Sequence, residues 1–146
     1  MREILFKAKR KDNGKWVEGY YRADPDLDTH YICGWNYYAS ENGFERELFE
    51  EEINYNTLCQ CTGLTDKNGR KIWENDIVNC KKYIGGNYVD YCIEAGYVEM
   101  KHGAFGLHRI KYDAYYRTFK DWLEDYEYEV IGNIFDNPEL LEGERC

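Results

Sequence analysis

Hydrophobic and polar side chains alternate along the N-terminal residues, which is the period of a half-buried β-strand. Ile4, Phe6 and Ala8 alternate with charged residues, and Asn13-Gly14 supplies the dipeptide favoured in two-residue hairpin turns. Residues 15–21 then form the return strand. The pattern therefore predicts a β-hairpin over residues 4–21.

Residues 22–58 predict further strands. The Asp-Pro-Asp sequence at residues 24–26 indicates a loop, residues 30–38 form an aromatic strand, and the Ser-Glu-Asn-Gly sequence at residues 40–43 indicates a turn. The hydrophobic side chains of residues 44–53 recur at a spacing that fits either a helix or the return arm of a hairpin. Because the turn before this segment is short, we interpret it as a strand, and the helix remains the alternative.

Residues 58–110 contain short strands separated by turns that carry glycine. The extended segments are residues 58–64, 71–80, 89–93, 98–100 and 104–110. The breaks between them fall at residues 66–69, 85–87, 96 and 101–103. Such a run of short strands predicts a compact β-unit.

One helix is predicted, over residues 112–124. Its hydrophobic side chains recur at three- and four-residue steps, with charged residues on the other face; they are Tyr112, Tyr115, Tyr116, Phe119, Trp122 and Leu123. A last strand at residues 128–135 ends before Pro138. The predicted fold class is mainly β, or β-rich α+β, with residues 1–58 as an N-terminal β-hairpin region, 59–137 as a compact β-unit and 138–146 as an acidic tail.

The composition is that of a folded chain, since 43% of the 146 residues are hydrophobic and 17% are aromatic. The 28 acidic residues outnumber the 19 basic ones, and the net charge of −9 argues against unaided binding to a phosphate backbone. The chain has six cysteines, but no apolar stretch predicts a signal peptide or a membrane span. We therefore expect reduced thiols and a cytoplasmic location.

Three stretches resemble the YopX family of phage and prophage proteins. They are residues 1–8 (MREILFKA), 60–78 (QCTGLTDKNGRKIWENDIV) and 129–141 (EVIGNIFDNPELL). The resemblance implies an SH3-like barrel over residues 59–137, a host bacterial cell as the location, and no assigned activity. Asn75 stands where the family usually has glycine, and Asn tolerates the left-handed backbone that such a turn needs. Cys61 stands where the family usually has an aromatic residue.

The sequence offers two weak patterns for metal binding. Cys59 and Cys61 would lie on one face of a strand, but no second pair follows at zinc-ligand spacing. Asp66, Asn68 and Asp76 lack the acidic twelfth ligand of a calcium loop, and a tight hairpin turn explains the first two. We therefore expect no metal and no cofactor.

No catalytic spacing is present either. His102 and His108 flank a turn, and six thiols are available, but only pairing in space would make an active site of them. The prediction is therefore that the protein is not an enzyme and has no catalytic or cofactor-binding residues.

Aromatic side chains suggest a groove for a peptide or a single strand. The candidates are Trp73, Tyr83, Tyr88, Phe105 and Trp122. Basic residues come only in the small clusters Lys81-Lys82 and Arg109 with Lys111, whereas acidic runs at residues 50–52 and 121–129 could meet a basic partner.

The sequence does not specify a biochemical activity. We expect a non-enzymatic phage or prophage accessory protein that acts by contact with a host or phage protein, or as a homo-oligomer. A nucleic-acid-associated SH3-like barrel is the alternative, although nucleic acid and membrane are not the expected partners. An enzyme with a site assembled only in space is the second alternative.

Overall fold

The computed structural model describes residues 4–84, 87–88, 94–110, 116–118 and 126–142. These residues are mainly β-strand, and every pairing of named strands that is assigned a register is antiparallel. The chain divides into two compact units, residues 1–61 (unit 1) and residues 62–146 (unit 2). The mainly β fold class is therefore confirmed.

Unit 1 contains four strands and the start of a fifth. They are β1 (Phe6–Lys9), β2 (Trp16–Asp24), β3 (Thr29–Ser40), β4 (Gly43–Glu52) and β5 (Cys59–Thr65), with a 3₁₀ turn at Tyr55–Thr57. Hydrogen bonding gives the order β4-β3-β2-β1-β5. Ala8, Ile32 and Ile53 form the buried core on one face of this sheet. We call this the core face, and the opposite one the outer face.

The hairpins predicted in unit 1 are confirmed, but the two-residue turn predicted at Asn13-Gly14 is wrong. Lys9 pairs with Trp16 and the Arg10 N–H donates to the Lys15 carbonyl oxygen at 2.8 Å, so the loop spans residues 11–14. Gly14 takes the left-handed φ of 71° in the β1–β2 turn, a conformation that costs glycine no steric strain. Residues 43–52 form strand β4, so the strand interpretation of residues 44–53 is right and the helical alternative is wrong. Cross-strand pairing with β3 over ten residue pairs accounts for this outcome.

The described residues of unit 2 form the rest of β5 and seven further strands. They are β6 (Lys71–Trp73), β7 (Asp76–Ile84), β8 (Asn87–Tyr88), β9 (Glu94–Lys101), β10 (Ala104–Arg109), β11 (Tyr116–Thr118) and β12 (Tyr126–Asn133), before a 3₁₀ turn at Pro138–Leu141. β5 pairs with β6, and a separate sheet has the order β11-β10-β9-β7-β12, with β8 paired to β7. The buried core consists of Ile72, Val78, Cys80, Val98, Leu107, Tyr128 and Val130.

Several expectations for unit 2 need correction. The described strands form an open order with β11 and β12 at its ends, and no closed SH3-like barrel is found among them. The predicted helix is wrong where it is described, because Tyr116–Thr118 is a strand paired with β10, and the rest of residues 112–124 lies outside the described residues. Gly96 lies inside β9 and does not separate two strands. The segment 71–80 is two strands, and residues 85–86 and 89–93 of the predicted turn and strand are outside the description.

Asn75 forms the turn between β6 and β7 with the left-handed φ of 70° expected for it. Its N–H donates to the Val98 carbonyl oxygen at 2.7 Å, and its own carbonyl oxygen accepts from Ile134 at 3.0 Å. These bonds attach the turn to β9 and to the residue that follows β12, both of which come much later in the chain. The φ of Asn75 is therefore fixed by the fold of unit 2.

We predict that Asn75→Gly leaves the free energy of unfolding nearly unchanged, whereas Asn75→Val lowers it by about 1–2 kcal/mol, the cost of a left-handed backbone for a residue with a branched Cβ. Urea denaturation measures both values. Asn36→Val, in extended strand β3, is the matched control and should change stability little. Equal stability of Asn75→Val and Asn36→Val would contradict the assignment.

Candidate interaction surface

The distal half of the β3–β4 hairpin, residues 35–48, extends beyond the core of unit 1. We call it the ribbon. Gly34 and Phe49 mark its base, because the Phe49 ring packs so closely over Gly34 that a Cβ there would lie 2.7 Å from the ring. Past this pair, residues 35–39 of β3 and 43–48 of β4 are all exposed. The ribbon therefore has two solvent-facing sides.

Register assigns each ribbon side chain to a face, because directly opposed residues of an antiparallel pair share one side of the sheet. On the outer face, Trp35 pairs with Leu48, Tyr37 with Arg46, and Ala39 with Phe44. We call Trp35, Tyr37, Phe44 and Leu48 the outer stripe. Their exposed fractions are 42%, 70%, 87% and 59%. Four large hydrophobic side chains thus share one solvent-facing side.

The core face of the ribbon is polar. It carries Asn36 opposite Glu47 and Tyr38 opposite Glu45. The Tyr38 hydroxyl donates to the Glu45 carboxylate at 3.1 Å, and this bond raises the pKa of Tyr38. The ribbon therefore reverses the usual arrangement, since its apolar side is the one that faces away from the core of unit 1.

Cationic side chains lie against aromatic rings on the same outer face. Arg46 stacks over Trp35 with 4.1 Å between the guanidinium carbon and the ring centroid, and Arg22 lies 4.5 Å over Tyr31. Lys7 lies 4.7 Å from the Trp16 ring centroid. Such cation–π contacts hold long side chains against the rings and combine charge with apolar surface.

The acidic run at residues 50–52 is matched by cations of unit 1. Glu50 pairs with Arg22 at 2.9 Å, and the hydrogen bond from this arginine lowers the pKa of Glu50. The other two pairs are Glu51 with Arg10 and Glu52 with Lys11, both at 3.0 Å. Each glutamate of the run that the sequence suggested for a basic partner is therefore already in an ion pair, although Arg10 is shared with Asp12, which it contacts at 2.8 Å. Glu45 and Glu47 in the ribbon have no cationic partner among the described residues.

Asp66 and Asp76, which lie in the stretch of residues 60–78, accept backbone hydrogen bonds in unit 2. Asp66 is 7% exposed, and its Oδ1 accepts from the N–H groups of Asn68 and Arg70, both at 2.9 Å, while its Oδ2 accepts from Val130 at 3.0 Å. Asp76 is 3% exposed and accepts from the Trp73 N–H at 2.8 Å. These contacts give both residues a structural role in the turns that surround them.

The comparisons with known proteins place the chain. A family model described as YopX protein matches residues 5–142. The chain belongs to the YopX family. Among solved structures, it is similar to the crystal structure of protein EF1440 from Enterococcus faecalis, with a TM-score of 0.58 and 25% sequence identity over 97% of this chain and 100% of that one. A search of curated proteins finds no match.

Two motifs that carry the YopX resemblance meet in space. Asp66 belongs to the central signature and Val130 to the closing motif, and their hydrogen bond spans 64 positions of sequence. The Lys67 N–H also donates to the Tyr128 carbonyl oxygen at 2.9 Å. These two hydrogen bonds attach the turn at Asp66 and Lys67 to β12. The central stretch and the closing motif therefore stabilise the same part of the fold.

The cysteines and histidines proposed as metal ligands or catalytic residues form no metal centre within the described part of the chain, where no group of three or more His, Cys, Asp or Glu side chains comes together. Cys59 is buried and donates to the Thr57 carbonyl oxygen at 3.2 Å, and Cys61 is half-buried. His102 lies exposed in the β9–β10 turn, whereas His108 contacts the Glu99 carboxylate at 3.1 Å. The structure therefore does not bring the two predicted histidines together in one site.

Unit 1 has a cleft of about 610 Å³ beside His30. His30 Nδ1 lies 2.6 Å from the Tyr21 hydroxyl, its Nε2 lies 3.4 Å from Asp28, and the Tyr55 ring stacks on it at 4.2 Å. Burial, and next the Glu50 charge, raise the pKa of Cys33, which disfavours the thiolate that a nucleophile requires. The imidazole is thus held in place by its neighbours, and Cys33 is a poor nucleophile.

The predicted aromatic groove has a different outcome for each residue. Trp73 is buried, and Phe105 packs against the core of unit 2. The side chains of Tyr83 and Tyr88, and Trp122 as a whole, lie outside the description, as do Lys111, the Lys82 side chain and most of residues 121–129. Sequence reasoning missed the outer stripe, although two strands joined by a two-residue turn would have indicated which side chains share a face.

No helix among the described residues has the length and apolar character needed to cross a bilayer.

Proposed function

We propose that this YopX-family chain is a non-enzymatic phage or prophage accessory protein that binds another protein through the outer stripe of its ribbon. The observation that carries the proposal is the exposure of Trp35, Tyr37, Phe44 and Leu48 on one side of a two-stranded ribbon. Contiguous apolar surface with a polar border is typical of protein-binding sites.

The residue types of the stripe also support protein binding. Tryptophan, tyrosine and arginine are enriched among the residues that carry most of the binding energy in protein interfaces, and Arg46 already lies over the Trp35 ring. Full burial of a large apolar side chain contributes about 1.5–3 kcal/mol. Covering the four side chains of the stripe would therefore contribute several kcal/mol to association with a partner.

We further propose that the protein acts in the cytoplasm of a host bacterium, where it would meet a host or phage protein. The YopX resemblance supports this part of the proposal. If a second copy of the chain covered the stripe instead, the protein would be a homo-oligomer that uses the same surface.

The test is affinity capture from a bacterial lysate with the wild-type protein and with the double variant Tyr37→Ser, Phe44→Ser. We expect the variant to retain at least tenfold less of the specific partner than the wild type does, because truncating two interface side chains removes about 2 kcal/mol or more of binding free energy. Quantitative mass spectrometry measures the retained partner. The variant should fold normally, since both side chains are exposed.

Leu27→Ser is the matched control, because Leu27 is 70% exposed in the β2–β3 turn and lies outside the ribbon. It should retain the partner at the wild-type level. Equal retention by the double variant and the wild type would reject the stripe as the binding surface.

Single-stranded nucleic acid is the second candidate ligand. The favouring observation is the set of cation–aromatic contacts on the outer face, a combination that single-strand binding proteins use. Glu50 and Glu52 lie on the same face, and the net charge of −9 opposes phosphate binding. Treating the lysate with nuclease separates the two candidates, because only retention through nucleic acid is lost.

A further inference from the structure

Strand β4 is an end strand of the unit 1 sheet. It stands first in the order β4-β3-β2-β1-β5, and β3 is its pairing partner among the described strands. The other edge of such a strand presents backbone N–H and C=O groups in the spacing that an extended peptide needs. The ribbon therefore offers a backbone edge in addition to its apolar stripe.

The side chains of β4 have opposite character on the two faces. Phe44 and Leu48 lie on the outer face, whereas Glu45 and Glu47 lie on the core face without a cationic partner among the described residues. A strand added beside β4 alternates its side chains with the same period of two. It would fit best with apolar side chains on the outer face and cationic ones on the core face.

A second copy of β4 fits this edge poorly. We consider antiparallel pairing of two β4 strands about a two-fold axis centred on each residue from Glu45 to Glu51 in turn. Registers centred on residues 45–47 oppose like charges that carry no ion pair, for example Glu47 with itself. Registers centred on residues 48–51 oppose glutamates that include the ion-paired run 50–52, and those centred on Leu48 and Phe49 also bring Arg46 opposite Glu50 or Glu52, so repulsion is strongest in the registers nearest the turn. Like charges directly opposite each other destabilise a strand pair. The glutamates therefore disfavour self-pairing and favour a cationic strand.

We propose that the edge of β4 between Phe44 and Phe49 binds an extended peptide segment of a partner protein in which apolar and cationic residues alternate. This inference rests on the proposed function of the ribbon in protein binding and adds the chemistry of the partner. Main-chain hydrogen bonds to β4 supply affinity, and the two rows of side chains select the sequence.

The probe is a fluorescein-labelled eight-residue peptide in which lysine and valine alternate. Its binding to the protein is measured by fluorescence anisotropy at low salt. Its block isomer, with four lysines followed by four valines, has the same charge and composition. We expect the alternating peptide to bind at least tenfold more tightly than the isomer. The Glu45→Gln, Glu47→Gln variant should weaken the alternating peptide about three- to tenfold.

Backbone methylation tests the strand pairing itself. In an extended peptide the N–H groups of the lysines point to one edge and those of the valines to the other. We expect N-methylation of one set to abolish binding and of the other set to leave it within threefold. Equal binding of the two methylated isomers, or of the alternating and block peptides, would overturn strand addition.

The outcomes separate this inference from the proposed function. In one outcome, Tyr37→Ser, Phe44→Ser loses partner capture while the alternating and block peptides bind equally. This outcome rejects the β4 edge and retains the stripe as the binding surface. A different result would assign the edge to a second copy of the chain and overturn the cationic partner. In that case neither N-methylated peptide binds, and sedimentation shows a dimer that Glu45→Gln, Glu47→Gln strengthens.

Discussion

Replacing Asp66 with alanine should lower the free energy of unfolding by roughly 2–4 kcal/mol. The change leaves the buried Val130 N–H without its acceptor, which costs about 1–3 kcal/mol, and it removes the cap of an exposed turn, which costs about 1 kcal/mol. Two of the three N–H donors to Asp66, those of Asn68 and Arg70, belong to the signature turn, and the third, Val130, lies in β12. The loss should therefore reach beyond the turn. Urea denaturation of wild type and variant measures it.

The same carboxylate should make stability depend on pH. Burial by itself raises the pKa of Asp66, but the hydrogen bonds from Val130, Arg70 and Asn68 outweigh it and hold that pKa below its ordinary value. An aspartate with a lowered folded-state pKa contributes stability that is fully present well above the unfolded pKa of about 3.9 and is lost as the pH falls through the folded value. The stability difference between wild type and Asp66→Asn should thus shrink between pH 6 and pH 3.

Asp24→Ala is the control for the Asp66 variants. The Asp24 carboxylate accepts from the N–H groups of Asp26 and Leu27 at 3.1 and 3.3 Å, so it caps a turn without a bond to a distant strand. We expect about 1 kcal/mol of destabilisation, in the range of an ordinary cap. Asp66→Ala losing no more than this control would show that the bond to β12 contributes nothing.

The sequence predicted the hairpins of unit 1 because their signals are local. The two-residue turn before Gly43 fixes both the pairing of β3 with β4 and its register. Asn13-Gly14 indicates the first hairpin but not its register, because the observed loop spans residues 11–14 and Lys9 pairs with Trp16. The helix over residues 112–124 was predicted from aromatic spacing, yet Tyr116–Thr118 pairs with β10. A three- to four-residue spacing of aromatic side chains is compatible with short strands as well, and cross-strand pairing decides between the two.

The candidate site was only partly accessible to sequence reasoning. Pairing of Trp35 with Leu48 and of Ala39 with Phe44 follows from the short turn, so the shared face of these residues could have been predicted. Which face of the hairpin is buried depends on where the core of unit 1 forms. Ile32 and Phe49 belong to that core and lie on the face opposite the outer stripe. The Asp66–Val130 bond was beyond prediction from local pattern, because the partners are 64 residues apart.

Two glycines should be as intolerant of a side chain as Asp66 is of truncation. A Cβ on Gly96 would lie 2.6 Å from the His108 carbonyl oxygen and 2.6 Å from Leu107 Cγ, and a Cβ on Gly19 would overlap the Cys33 carbonyl oxygen. Because the obstacle is backbone in each case, the strands must separate. We expect Gly19→Ala and Gly96→Ala each to cost about 3 kcal/mol, the upper range for overpacking.

Hydrogen exchange should locate each effect, with the largest loss of amide protection in β2 and β3 for Gly19→Ala and in β9 and β10 for Gly96→Ala. Gly14→Asn is the control, since Gly14 has no atom within 4 Å of a built Cβ and asparagine tolerates its φ of 71°. It should change the unfolding free energy by less than about 1 kcal/mol. Wild-type stability of either alanine variant would mean that the strands can separate at little cost, and the close approach of the two backbones would then not be what requires glycine at that position.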